Sequence, residues 1–326
     1  MILAGDIGGT KSLLALYPPG GDPRRPVHGR SLPSREYSRL SDCLKDFLDA
    51  AREKVTFACL GIAGPVVGGR SVTPNLPWET VDATELRQAL DAEVVLLNDL
   101  EAKAYGIATL RPEELHCLHP GKPATGNAAL IAPGTGLGEC ILFWDGKMHR
   151  PSASEGGHCS FAPRNEIEIG LLRYLLRKYH HVSFDRIVSG KGLVNIYNYL
   201  RESGSAEPAP VHEEISKDDD PAAAISRAAL EGRSELCRKA LHLWVECFGA
   251  EAGNLALKAL ATAGVYLGGG IAPKILPKLT DGTFLAAFRD KARLAPLLEA
   301  IPIHVILNDQ AALYGAARFA LQFSPP

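Results

Sequence analysis

Apolar residues along this chain alternate between two rhythms, short near-continuous runs and spacings of three and four. The run "ILAGDI" (2–7), a glycine pair and "SLLALY" (12–17) predict a hairpin turning at Gly8-Gly9. In "SDCLKDFLDAAREK" (41–54), Leu44, Phe47, Leu48 and Ala51 have helical spacing, with Ser41 as the expected N-cap. "TFACLGIAG" (56–64) predicts a buried strand ended by Gly64-Pro65. "VDATELRQAL" (81–90) predicts a helix start, with Asp82 and Glu85 at capping-box spacing. "EVVLLND" (93–99) predicts a strand and "LEAKAYGIATL" (100–110) a helix.

The polar passage from Pro112 to Gly126 reads as a domain junction. Beyond it, "AALIAPGTGLGECILFWDGK" (128–147) predicts a second hairpin. Helices are expected at 166–179 and 190–201. "GSAEPAPVHEEISKDDDP" (204–221) is polar and proline-rich and reads as an exposed loop. A long helix follows at about 234–261, then "GVYLGGGIAPK" (264–274), the strand "IHVILND" (303–309) and a last helix.

Two partial repeats cross this order. "VVLLNDLEAKAYGIA" (94–108) is similar to "HVILNDQAALYGAA" (304–317), each a strand, then Asn-Asp, then a helix. "DIGGTKSLLALY" and "PGTGLGECILFW" are both hairpins with glycine-and-threonine turns. Together they imply two related α/β halves, each opening with a glycine hairpin.

Composition adds exclusions. The 326 residues are 46% hydrophobic with a formal net charge of -2, which suits a globular protein of two domains. That charge gives no reason to expect nucleic acid or an anionic membrane as partner. The seven cysteines have no CxxC spacing and read as reduced cytosolic thiols. "MILAGDIGGTK" lacks a basic segment before its apolar run, so no signal peptide is expected, and no apolar run is long enough to span a membrane. No residues before the first strand hold a helix-turn-helix, so no DNA-binding module is expected.

The glycine turns carry candidate chemistry. Such turns expose backbone N–H groups that hold phosphate oxygens, and threonine adds a hydroxyl donor. In "GDIGGTK" (5–11), Asp6 ends a strand where it could hold Mg²⁺ through water, and Lys11 is a nearby cation. A plain hairpin turn is the alternative. Neither a GxxxxGK[ST] loop nor a strand–GxGxxG–helix is present. "YLGGGIAP" (266–273) permits close approach by a flat ligand, or simply ends a strand. Asp99, after an apolar strand and before a helix, is either a helix N-cap or a general base. In "SASEGGHCSF" (152–161), Glu155 and His158 could bind a metal, pass a proton or grip hydroxyl groups.

The ordered set "GDIGGTK", "NLPW", "LLNDLEAKAYGI", "GTGLG", "EGGHCSFAP", "HVSFDRIVSGKGLVNIY" and "LGGGIAP" resembles the bacterial ATP-dependent glucokinase family, part of the hexokinase–actin–sugar kinase group. The resemblance runs from Ile2 to the last helix. It implies an α/β, two-lobed actin-like ATPase (RNase H-like) fold with a cleft between a small and a large domain. The small domain would span 1–110, completed by a C-terminal helix at about 309–326, and the large domain 111–308. ATP would contact Gly5, Asp6, Ile7, Gly8, Gly9, Thr10 and Lys11, then Gly134, Thr135 and Gly136. Its adenine would lie near Gly268, Gly269 and Gly270. The sugar-contacting positions map onto Asn98, Asp99, Glu155, His158 and Asp185, with Asn75 of "NLPW" close by. Where the family pattern carries glutamate, Asp185 is one methylene shorter, which leaves open a lost, water-mediated or restored contact.

The implied reaction is transfer of phosphate from ATP to the 6-hydroxyl of D-glucose, with Asp99 as base and Mg²⁺ with the nucleotide. Related ROK sugar kinases place a cysteine-rich zinc motif after E..GH. Here no cysteine follows Cys159 until Cys237, so a structural zinc is not expected. A cytoplasmic homodimer is typical of the relatives. Mannose, glucosamine or an N-acetylhexosamine are alternative substrates. A non-catalytic actin-like ATP-binding module is the alternative class, and it would need no sugar-reading cluster.

Overall fold

The computed structural model describes residues 1–73, 76, 78, 80–204 and 209–324. Asn75 lies outside the described residues. The chain divides into two compact units. One comprises 1–114, 149–153 and 308–326; the other comprises 115–148 and 154–307.

In the first unit, β1 (Ile2–Ile7), β2 (Lys11–Tyr17), β3 (His28–Pro33), β4 (Phe57–Ile62) and β8 (Glu93–Asn98) form one sheet in the order β3-β2-β1-β4-β8. The hairpin partners β1 and β2 are antiparallel, while β1, β4 and β8 run parallel. The short strands β5 (Val66–Val67), β6 (Arg70–Val72) and β7 (Thr80–Asp82) make a separate small sheet. Helix α1 (Leu40–Ala51) places Leu44 and Phe47 in the core beside Leu14 and Leu60. Each such side chain stabilises the fold by about 1.5–3 kcal/mol when fully buried.

Ser41 is not the N-cap of α1. Arg39 holds that position without a side-chain bond, because Leu40, 3% exposed, is drawn into the core and starts the helix two residues early. Asp82 does cap α2 (Ala83–Leu90), its Oδ1 accepting from the Thr84 N–H at 2.7 Å.

Helix α3 (Asp99–Ile107) packs on the last helix, Ala311–Phe323. A Cβ added at Gly106 would lie 1.9 Å from the Ala311 carbonyl oxygen, and one at Gly315 would lie 1.7 Å from that of Ala102. The Tyr-Gly pair shared by the two repeats is therefore a helix–helix contact that admits no side chain.

The second unit repeats the plan. Its strands are β9 (Leu115–His119), β10 (Ala128–Pro133), β11 (Leu137–Trp144), β13 (Gly264–Leu267) and β14 (Ile303–Ile306), ordered β11-β10-β13-β14-β9. Strand β12 (His149–Ser154) follows β11 in sequence. Again an antiparallel hairpin leads into parallel neighbours, β10 with β13 and β13 with β14. The expected junction holds strand β9, which pairs antiparallel with β14.

The helices of this unit are α4 (Glu166–Leu176), α5 (Gly190–Glu202), α6 (Ala209–Lys217), α7 (Pro221–Leu230) and α8 (Glu235–Ala259), followed by α9 (Leu276–Leu279), α10 (Thr283–Arg289) and α11 (Ala295–Ala300). In its core Trp244 packs on Phe248 of the same helix α8, and Phe248 packs on Phe284 of α10. The loop expected over 204–221 contains α6. Val211 and Ile215 sit four residues apart and pack on the core, and the ring of His212 stacks on Tyr197. Two apolar residues at helical spacing outweighed the polar composition. No helix among the described residues is long and apolar enough to cross a membrane.

Candidate active site

The candidate residues of the first unit lie at strand ends. Gly8 and Gly9 turn the chain between β1 and β2, and the Gly8 N–H donates to the Lys11 carbonyl at 3.1 Å. Beneath the turn lies Ser34, fully buried, which donates from Oγ to the Gly8 carbonyl at 2.7 Å and shares a second bond with Ser12 Oγ at 2.9 Å. The Ser34 N–H also donates to the Thr10 carbonyl. Sequence reasoning missed this brace. A serine at the end of an edge strand has no local signal for burial.

Asp6 stands at the end of β1. Burial pushes its carboxyl up to about 6, with the charges of Asp99 and Asp309 adding to the rise and Lys103 and Lys11 opposing it. Two lysines and two carboxylates thus share its surroundings, and among the described residues no group of three or more His, Cys, Asp or Glu side chains is gathered to hold a metal ion.

Asn98 and Asp99 divide the work at the end of β8. Asn98 Oδ1 caps α3, accepting from the N–H groups of Leu100 at 2.9 Å and Glu101 at 3.3 Å, while Nδ2 donates to the Gly64 carbonyl at 2.9 Å. Asp99 is the first residue of the helix, and its Oδ1 accepts from the Leu100 N–H at 2.9 Å. The principal cap therefore belongs to Asn98, one residue earlier than the capping alternative for Asp99. The second repeat copies the turn: Asn308 Oδ1 accepts from the Gln310 N–H at 2.7 Å.

The second unit brings four sequence-separated stretches together. The turn Gly134–Gly136 closes with the Gly134 N–H donating to the Gly136 carbonyl at 2.7 Å. Gly268 and Gly269 abut the strand that feeds this turn, and Gly270 follows them into open space. The Gly268 N–H donates to the Ile131 carbonyl at 2.8 Å. Gly269 has φ +77°, and a Cβ there would lie 2.2 Å from the Pro133 carbonyl oxygen. Only glycine meets both demands. The segment 185–190 holds the same turn from another side. Asp185 Oδ1 accepts from the Leu137 N–H at 2.8 Å, and the Gly190 N–H donates to the Gly134 carbonyl at 2.9 Å. Ser189 fixes this segment by donating from Oγ to the Asp185 carbonyl and capping α5 at the Gly192 N–H.

The loop bearing Glu155 and His158 lies beside it. Residues 159–161 run antiparallel to 182–184, joined through Phe161 N–H to Val182 O and Phe184 N–H to Cys159 O. Glu155 Oε2 and His158 Nε2 are 3.9 Å apart, and both side chains are exposed. The two glycines between them serve packing: a Cβ at Gly157 would lie 2.1 Å from the Leu137 carbonyl oxygen, and one at Gly156 would lie 2.2 Å from Glu139 Oε2. Glu139 of β11 and Glu251 of α8 form a buried carboxyl pair beneath the loop, which sequence reasoning also missed. Its one signal is a charged residue at an inward position of a strand otherwise apolar on that face, as in "LGECILF".

Two sheets of one plan, each with a glycine-turn hairpin, and a carboxylate at a strand–helix junction are the plan of the actin-like ATPase fold, which sugar kinases share. A crystallised glucokinase from an Antarctic psychrotroph matches 98% of this chain over 98% of its own, with TM-score 0.83 and 28% identity. A ROK-family glucokinase from Streptomyces griseus, at 20% identity and TM-score 0.64 over 98% of this chain and 99% of its own, shares the fold.

The family model for glucokinase matches residues 3–323. The glucokinase of Nostoc punctiforme is 42% identical over 97% of this chain and 98% of its own length, and that of a Synechocystis strain is 39% identical over 98% of both. The chain belongs to the glucokinase family and is an ATP-dependent glucose-phosphorylating kinase.

Proposed function

We propose that the transfer is to the 6-hydroxyl of D-glucose, with Asp99 as the general base. The observation that supports this role is the capping of α3 by Asn98. It sets Asp99 at the first helical position, on a helix locked by the Gly106–Gly315 contact. In this reading the Asp99 carboxylate takes the proton of the sugar hydroxyl. The freed oxygen bonds to the γ-phosphorus as the bond to ADP breaks. Glu155 and His158 read sugar hydroxyls by paired hydrogen bonds, a mode that penalises a sugar lacking a partner group. Asn98 adds its amide. Asp185 either joins them or acts through its bond to Leu137, and Asn75 is the further contact that the resemblance proposes.

The triphosphate would be held by the two glycine turns, at Gly5–Lys11 and Gly134–Gly136, with Gly268–Gly270 beside the adenine. Asp6 is the residue suited to hold Mg²⁺ through water; when bound, the ion offsets phosphate charge. The first unit serves as the small lobe and the second as the large lobe. The same reading takes the enzyme to be a cytoplasmic homodimer, in line with its family, and light scattering checks the assembly.

The deciding experiment is a coupled assay with ATP across glucose, mannose, glucosamine and fructose. A kcat/KM for glucose at least tenfold above the others is expected. Equal values across the panel would remove the assignment of glucose as preferred substrate.

A further inference from the structure

We propose that the buried pair Glu139–Glu251 is a positioning device for the sugar loop, holding one proton between two carboxyl groups so that the loop at Gly156–His158 stays seated on β11. The inference rests on the reading of Glu155 and His158 as sugar ligands.

The geometry is one of enclosure. Glu139 is 2% exposed and Glu251 is 0% exposed. Glu139 Oε2 lies directly against Gly156, where not even a Cβ would fit, and Oε1 has no partner among the described residues. Glu251 is better served: it accepts from Asn254 Nδ2 at 2.7 Å and lies 3.4 Å from Lys258 Nζ. The other charged or titratable groups near the pair are Lys291, which donates to Asn254 Oδ1, and Cys159 beside Lys258; the loop's own Glu155 and His158 have exposed side chains. Strand β10, paired to the other side of Glu139, contributes only apolar residues.

Lys258 acts on both buried carboxylates whereas Lys291 acts on Glu251 and not on Glu139, so both carboxyls ionised together would leave charge on Glu139 poorly compensated in the core. Burial, then the charge of Glu251, pushes Glu139 up to about 8. Burial also raises Glu251, but Asn254 and Lys258 oppose the rise. The proton therefore sits on Glu139, which donates to the Glu251 carboxylate. Above pH 8 the proton passes to solvent. The new anion then draws water and repels its partner directly beneath Gly156, and the loop loses its seat.

The test compares glucose KM and kcat from pH 6 to 9.5 in the wild type, Glu139→Gln, Glu251→Gln and His158→Ala. Wild-type KM is expected to rise on the order of tenfold between pH 7 and 9, with a smaller change in kcat. Glu139→Gln keeps the shape and the donor but cannot ionise, so its KM stays flat. In Glu251→Gln the rise moves to lower pH, because the neighbouring charge is gone. A second readout needs no sugar. A raised native pKa means stability is lost as pH climbs from about 4.5 toward 8, so the Tm of Glu139→Gln should overtake that of the wild type across that window.

A flat wild-type KM overturns the inference, as does a wild-type profile retained by Glu139→Gln. If Glu139→Gln does not fold, an unmoved rise in Glu251→Gln overturns it equally. His158→Ala separates the two levels. Unchanged glucose affinity there removes the sugar-loop reading, whereas weakened binding at every pH leaves that reading intact and the pair on trial alone.

Discussion

Asp185 Oδ1 accepts the Leu137 N–H at 2.8 Å, so this carboxylate is tied to the end of the glycine turn. A bond from a backbone N–H to a charged acceptor contributes about 1.5–3 kcal/mol, or roughly ten- to a hundredfold in an equilibrium. Asp185→Ala should therefore raise KM for ATP by about tenfold or more. Asp185→Asn, which keeps an acceptor oxygen, should retain most of the affinity. If glucose KM rises alone in both variants, sugar contact is the main role of Asp185 and the clamp is secondary.

Asp99→Asn should lower kcat by about 10²-fold or more, the usual span for a general base, while calorimetric glucose binding persists. Retention of more than about a tenth of wild-type kcat, a loss under ~1.4 kcal/mol, would end the base assignment.

Gly315→Ala drives a methyl group into the Ala102 carbonyl, at 1.7 Å in the unrelaxed structure. Helix α3 must shift, at a cost of about 1–3 kcal/mol for overpacking. Both the urea midpoint and kcat should fall, because Asp99 rides on the displaced helix. A variant with unaltered midpoint and kcat would show that the helix contact has slack.

Glu114 takes a forked pair of bonds from Arg24 at 2.7 and 2.8 Å, and one from Asn308 Nδ2 at 2.5 Å. The Arg24 bond, with the Arg111 N–H and Asn308, holds its carboxyl down to about 2. A lowered native pKa gives stability that is present above about 4.5 and lost as pH falls toward 2. Glu114→Gln should therefore be less stable than the wild type at pH 7, by roughly 1–3 kcal/mol. The gap should close on acidification through that window in pH-resolved denaturation. A gap that does not change with pH would assign the loss to packing.

Strong local periodicity made much of the fold legible. The hairpins 2–17 and 128–147, the strands near 57 and 93 and the long helix near 234 were all readable from spacing. The misses have physical reasons. Edge strands such as β3 and β9 carry polar residues on faces that only a neighbouring strand defines, so "HGRSLP" gives little signal by itself. Helix α6 hid its two anchoring apolar residues in a charged, proline-flanked passage. The site was half visible. Residue types at Asn98, Asp99, Glu155, His158 and Asp185 marked candidates, but the cap at Asn98, the Ser34 brace and the tether of Asp185 depend on contacts between distant segments.

The sequence by itself determined the doubled plan, the glycine turns and the chemical kinds of residue at their rims, because these follow from local periodicity, turn stereochemistry and order along the chain. Only the tertiary structure decided what each polar atom does. It assigned Asn98 to cap α3, gave the glycines at 156 and 157 to packing against β11, bound Asp185 to Leu137 and buried Glu139 against Glu251. A hydrogen bond or a buried charge is fixed by what the fold brings within a few ångströms, and no spacing along the chain records that distance.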